Sequence, residues 1–98
     1  MSARTDKESA SDARRASIVA RVRAIPKGFV RTYGDIDAAS PRLVGRVLAT
    51  TPDVLPWHRV VRSDGSIPMG APQLELLARE GVPMRGNRVD LSMARVPE

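Results

Sequence analysis

The segment Pro56-Trp57-His58-Arg59-Val60 gathers the side chains best suited to chemistry. Trp57 is the sole tryptophan of the chain and His58 the sole histidine. Pro56 fixes its own φ and biases Leu55 towards extended backbone, so the indole is presented from a constrained stretch. An indole face offers stacking, but its N–H is a donor with no nucleophilic lone pair. His58 with Glu80 could make the acid–base pair of a hydrolase, yet no nucleophile accompanies them. The sequence holds no cysteine, which removes thiol nucleophiles, thiolate metal sites and disulfides together. Zinc needs three or four ligands, and one histidine among scattered acids does not supply them. No metal and no cofactor is expected. The plain alternatives are a core anchor for Trp57 and a structural hydrogen bond for His58 and Glu80.

The other candidates are cations. Lys and Arg number 16 against 11 Asp and Glu, a formal net charge of +5. The sequence pI is near 11.0. Such a balance favours a polyanion, either nucleic acid or an anionic membrane face, although a basic solvated surface gives the same count. Nearly all the cations are Arg, whose planar fork suits phosphate and base edges better than Lys does. No apolar run approaches the ~20 residues of a membrane span, and the N-terminus lacks the apolar stretch of a signal peptide. A cytoplasmic protein with no membrane partner is expected.

These side chains need elements to position them. Residues 1–12 are polar and read as a mobile tail, leaving 13–98 as one domain. Ile18, Val19, Val22 and Ile25 make one apolar stripe, which predicts a helix from about Ala10 to Ala24 that Pro26 stops. Thr32 is placed to cap a helix from Tyr33 to Ala39, with Asp35 in its first turn. Ser40-Pro41 begins a second helix, with Leu43, Val44, Val47 and Leu48 inward and Arg42 and Arg46 outward. Two short helices joined by a tight turn suggest a helix-turn-helix. Arg59 to Arg62 reads as a strand and Ser63-Asp64-Gly65-Ser66 as a hairpin turn. Gln73 to Glu80 is a helix stopped by Gly81. Arg85-Gly86-Asn87 is a turn, Arg88 to Leu91 a strand, and the last residues fray. The fold class expected is mainly α with a small β hairpin, a winged helix-turn-helix.

In this order Ile25-Pro26-x-Gly28-x-Val30-x-Thr32-Tyr33-Gly34-Asp35-Ile36, Pro41-Arg42-Leu43-Val44-Gly45, Pro56-Trp57-His58-Arg59-Val60-Val61, Asp64-Gly65 and Leu76-Leu77-x-x-Glu80-Gly81 resemble the C-terminal domain of the O6-alkylguanine-DNA alkyltransferases. The resemblance covers about Ile18 to Gly81. It is closest to the alkyltransferase-like relatives, in which the reactive cysteine of Pro-Cys-His-Arg-Val is replaced, often by tryptophan. It implies a fold that enters DNA through the minor groove. By resemblance, Arg42 fills the gap left when a guanine rotates out, Tyr33 pushes on the neighbouring phosphate, and Trp57 floors the pocket. His58 and Glu80 match residues that activate the thiolate in the enzymes and stand here as a structural remnant.

The sequence departs from the family pattern in places. Thr51 replaces the usual asparagine and lacks its amide N–H₂. The link Ala38 to Ser40 is short, and the loop Ile67 to Pro72 lacks the enzymes' glycine- and serine-bearing lid. Arg46 lies one turn beyond Arg42, so the register of the gap-filling arginine is open between them. Gly45 is expected to permit close helix approach.

The site expected is Tyr33, Arg42, Arg46 and Arg59 on DNA, with Tyr33, Pro56, Trp57, Val60 and Met69 around the lesion. Arg31 and Arg62 are further candidates for phosphate. The implied function is a non-enzymatic sensor, acting as a monomer. Its partners are duplex DNA containing O6-alkylguanine and the nucleotide excision repair proteins. The alternative is a winged-helix transcription regulator that reads ordinary sequence through Arg42 and Arg46.

Overall fold

Ile18 and Val22 are buried along one side of α1 (Asp6–Arg23), with Ile25 just beyond its end. The computed structural model describes residues 6–97. The helix starts earlier than the expected tail allows: residues 6–12 are its first turns, and 1–5 lie outside the described residues. Lys, Glu and Ala favour helix intrinsically, so α1 extends past its apolar stripe. Pro26 to Phe29 then turn, with the Phe29 N–H donating to the Pro26 carbonyl at 3.1 Å. Gly28 takes the φ of +89° that the turn requires.

β1 (Arg31–Thr32) leads directly into α2 (Tyr33–Ile36). Thr32 Oγ1 accepts from the Asp35 N–H and the Asp35 carboxylate accepts from the Thr32 N–H, each at 3.1 Å, a complete capping box. α2 ends at Ile36, short of the expected Ala39. Asp37 causes the stop: it is extended, and its carboxylate accepts from the Ala39 and Ser40 amides at 3.1 and 3.2 Å. Arg14 of α1 grips that carboxylate with two bonds of 2.7 Å, and chiefly this grip holds the Asp37 acid down to about 2. α3 (Pro41–Thr50) follows with Pro at its start, though the Ser40 side chain makes no cap bond.

Val44 and Val47 of α3 pack with Ile18, Val22, Ile25, Ile36, Leu55 and Val60 in a first core, with Leu43 and Leu48 at its edge. A second core holds Val30, Val61, Leu77, Val82, Val89 and Ala94. β2 (Val60–Val61) divides them, because adjacent strand residues point to opposite faces. β2 pairs in parallel with β1, Arg31 opposite Val60 and Thr32 opposite Val61.

The Asp64-Gly65 turn forms: the Gly65 N–H donates to the Arg62 carbonyl at 2.8 Å and the Arg62 N–H to the Ser66 carbonyl at 3.0 Å. Its flanks do not pair as a strand hairpin; Ser66 bridges to Arg88 instead. The hairpin of the fold is β3 (Met84–Arg85) with β4 (Arg88–Val89), after α4 (Ala71–Arg79). The strand expected to reach Leu91 stops at Val89, because Asp90 accepts from the Ser92 N–H and caps α5 (Leu91–Ala94). Residues 94–96, expected to fray, are tied down: the Val30 N–H donates to the Ala94 carbonyl at 2.9 Å and the Val96 N–H to the Val30 carbonyl at 3.0 Å. The result is a mainly helical chain with a small β hairpin, a winged helix-turn-helix.

Candidate functional site

Trp57 is locked from both sides. The Trp57 N–H donates to the Leu55 carbonyl at 2.8 Å across Pro56, whose φ of −75° and ψ of 62° make a tight three-residue turn. A 3-10 turn, Trp57–Arg59, follows and runs into β2. The His58 ring stands edge-on to the indole, centroids 6.0 Å apart at 86°. Trp57 is half-buried, and its indole N–H has no hydrogen-bond partner among the described residues.

The indole forms one wall of a cavity of about 290 Å³, lined also by Tyr33, Gly45, Leu48, Ala49, Met69 and Gln73. That is the low end of the range for small-molecule sites, so the guest is small. No lining residue is charged. Gln73 is buried, and its amide is fully used: Oε1 accepts from the Met69 N–H at 3.1 Å, and Nε2 donates to the His58 and Val60 carbonyls at 3.0 and 2.9 Å. The residue therefore fixes the Met69 loop to the Trp57 turn. Met69 is 61% exposed and stands at the rim.

Of the expected lesion-pocket residues, Tyr33, Trp57 and Met69 meet at this cavity. Pro56 and Val60 do not line it. Val60 is 0% exposed in the first core, because β2 pairing turns its side chain inward. Gly45, Leu48, Ala49 and Gln73 are additions. A Cβ at Gly45 would sit 3.8 Å from the Tyr33 ring, an ordinary contact, so Gly45 leaves space at the cavity rather than relieving a helix clash. Leu48 and Ala49 follow from α3 periodicity. Nothing in the sequence pattern marks Gln73.

Arg59, expected on DNA, has its guanidinium engaged inside the fold. Its Nε and Nη2 donate to the Glu80 carboxylate at 2.9 and 2.7 Å, and Nη1 to the Ile25 carbonyl at 2.8 Å. The Arg59 and Glu80 side chains are 16% and 11% exposed. His58 Nε2 lies 2.9 Å from the same carboxylate, which makes the expected structural hydrogen bond. With Arg59 as the main cause and His58 adding, the Glu80 acid is pushed down to about 2. The trio ties the end of α4 to the Trp57 turn and, through Ile25, to the end of α1.

Arg42 and Arg46 project outward from α3. Arg42 lines a surface groove with Tyr33, Gly34, Pro41, Gly45, Arg62, Ser63 and Pro68, and this groove shares Tyr33 and Gly45 with the cavity. Arg46 lines neither. The half-buried Tyr33 phenol is pushed up by burial, with the Arg62 charge partly opposing. Thr51 Oγ1 accepts from the Asp53 N–H at 3.2 Å, so it still ties the chain after α3.

The model of the 6-O-methylguanine DNA methyltransferase, DNA binding domain, matches residues 13–82, a stretch that includes both helices of the motif, the Trp57 turn and α4. The chain belongs to that family, among its alkyltransferase-like members. The DNA base-flipping protein of Escherichia coli (strain K12) is 44% identical over 86 residues, covering 76% of this chain and 67% of that protein. A DNA base-flipping protein of Vibrio parahaemolyticus is 42% identical over 65 residues, covering 59% of this chain and 65% of the relative. Among solved structures, S. pombe Atl1 in complex with damaged DNA containing O6-carboxymethylguanine superposes with a TM-score of 0.74 at 26% identity. That match covers 89% of this chain and 97% of Atl1. As an alkyltransferase-like chain it is set apart by composition: no cysteine stands within the matched residues.

Proposed function

We propose that this chain is a non-enzymatic sensor of DNA damage. It binds O6-alkylguanine in duplex DNA, rotates the nucleotide out of the stack into the cavity beside Trp57, and marks the site for nucleotide excision repair. The observation that carries this reading is an open, uncharged cavity with an indole in its wall, in a DNA-binding family member without a thiol.

Rotation costs a few kcal/mol, and less when pairing is already weakened, as alkylation at O6 weakens it. Stacking on Trp57 returns ~1–3 kcal/mol, comparable to that cost. Leu48, Ala49 and Met69 offer apolar contact to the alkyl group. The guanidinium of Arg42 enters the vacated stack and contacts the orphaned base, a task its planar shape suits. Tyr33, shared by groove and cavity, stands where the phosphate of the rotating nucleotide passes. No sulfur is present to take the alkyl group, so the lesion is held and not repaired. The match to the base-flipping proteins supports the rotation step, and the family resemblance supports the hand-over to excision repair.

The test is the affinity for a duplex carrying one O6-methylguanine against the same duplex unmodified, at one salt concentration. Tighter binding of the modified duplex is expected. Equal affinity would return the chain to a winged helix that reads ordinary sequence. The hand-over is tested by adding the protein to a reconstituted excision system, where incision at the lesion should rise.

A further inference from the structure

The arginines divide by what they already touch. Arg14 is engaged by Asp37, Arg59 by Glu80 and Arg79 by Glu75. Arg62 is exposed, follows directly on β2, and has no side-chain partner among the described residues. Nothing in the packing requires it.

Its position is distinctive. Arg62 stands where two surface grooves meet. One groove runs past Tyr33, Pro41 and Arg42 and opens beside the Trp57 cavity. The other runs to Asn87 and Arg88 at the β3–β4 turn and to the start of α4. Arg88 is held by Asp64 at 3.6 Å, an exposed pair too long for a hydrogen bond and worth little. Arg62 and Tyr33 line the same groove, near enough for the Arg62 charge to oppose the rise of the phenol.

We infer that Arg62 anchors a backbone phosphate, and that the two grooves form one track carrying the DNA strand from the cavity to Arg88 on the β3–β4 turn. The ligand is the phosphodiester chain itself. A guanidinium with no internal partner gives up no bond to receive it, and each phosphate neutralised releases condensed counterions. The track thus extends the footprint beyond the helix-turn-helix. The inference rests on duplex DNA as the ligand, not on preference for a lesion.

Affinity is measured across salt concentrations for an unmodified duplex and the same duplex with one O6-methylguanine. Arg62→Ala is expected to lower the slope of log affinity against log salt by about one and to weaken both duplexes alike, roughly three- to tenfold. Arg88→Ala is expected to act in the same direction, reduced by the competing Asp64. Arg79→Ala, which lines neither groove, controls for general loss of charge. An Arg62→Ala slope like wild type, or no lower than that of Arg79→Ala, overturns the inference. A loss confined to the modified duplex also overturns it, because it would put Arg62 on the base. An unchanged Arg88→Ala overturns the extension to the hairpin. The unmodified duplex reports on the track even if lesion preference fails, so the two readings fail separately.

Discussion

Replacing Arg59 by alanine should damage the fold and leave the DNA surface in place. The Glu80 acid lies at about 2 against an ordinary 4.5, a difference of 4.5 − 2, or about 2.5 units. At ~1.4 kcal/mol per unit this is about 3 kcal/mol of stabilisation from Arg59 and His58 together. Breaking a buried pair on one side costs ~3–5 kcal/mol, and the slight exposure here lowers that to about 2–4. For a chain of this size the melting temperature should fall by roughly 10–20 °C. The pH dependence has a fixed sign. A carboxyl depressed in the folded state adds stability fully above 4.5 and loses it as pH falls towards 2. In Arg59→Ala the folded value rises back towards 4.5, so the deficit is largest at neutral pH and narrows in acid. Urea unfolding followed by circular dichroism at pH 7 and pH 3 checks both points. A loss below ~0.5 kcal/mol at pH 7, together with a lower salt slope on DNA, would refute the reasoning and put Arg59 back on the DNA surface.

Arg42→Ala should weaken the modified duplex roughly five- to 150-fold, about 1–3 kcal/mol, with little change in melting temperature, because the side chain is solvent-facing. Tyr33→Phe should slow rotation more than it weakens the final complex, which stopped-flow with a fluorescent base beside the lesion reads directly. Gly65→Ala should destabilise by more than ~1 kcal/mol in urea unfolding. Gly65 has a φ of +84°, and an added Cβ would run into the Val89 carbonyl oxygen.

Local signals gave the helix pair because its punctuation is local. Thr32 with Asp35 specifies a capping box, and Pro41 opens α3, whatever the rest of the chain does. Trp57 was legible as a presented ring because the proline before it constrains the backbone. What escaped depends on distant partners. β2 falls inside the strand expected over Arg59 to Arg62, but its parallel pairing with the two-residue β1 across the motif leaves no alternation long enough to read. Arg59 looked like every other arginine until Glu80 was brought beside it. Val60 sat in a motif that forms the pocket, yet strand pairing turned it into the core. The Val-Asp-Leu run after Arg88 alternates like a strand, but Asp90 is a better cap than a strand residue. Gln73 carried no pattern, because its bonds go to main-chain groups supplied by folding.

Trp57 is the chain's single tryptophan, so its fluorescence reports on the cavity wall alone. Titration with a duplex holding one O6-methylguanine should change that emission as the base stacks on the indole, whereas the unmodified duplex should leave it near its free value at matched saturation. Identical emission with both duplexes would contradict the claim that the damaged base leaves the helix and comes to rest against this ring.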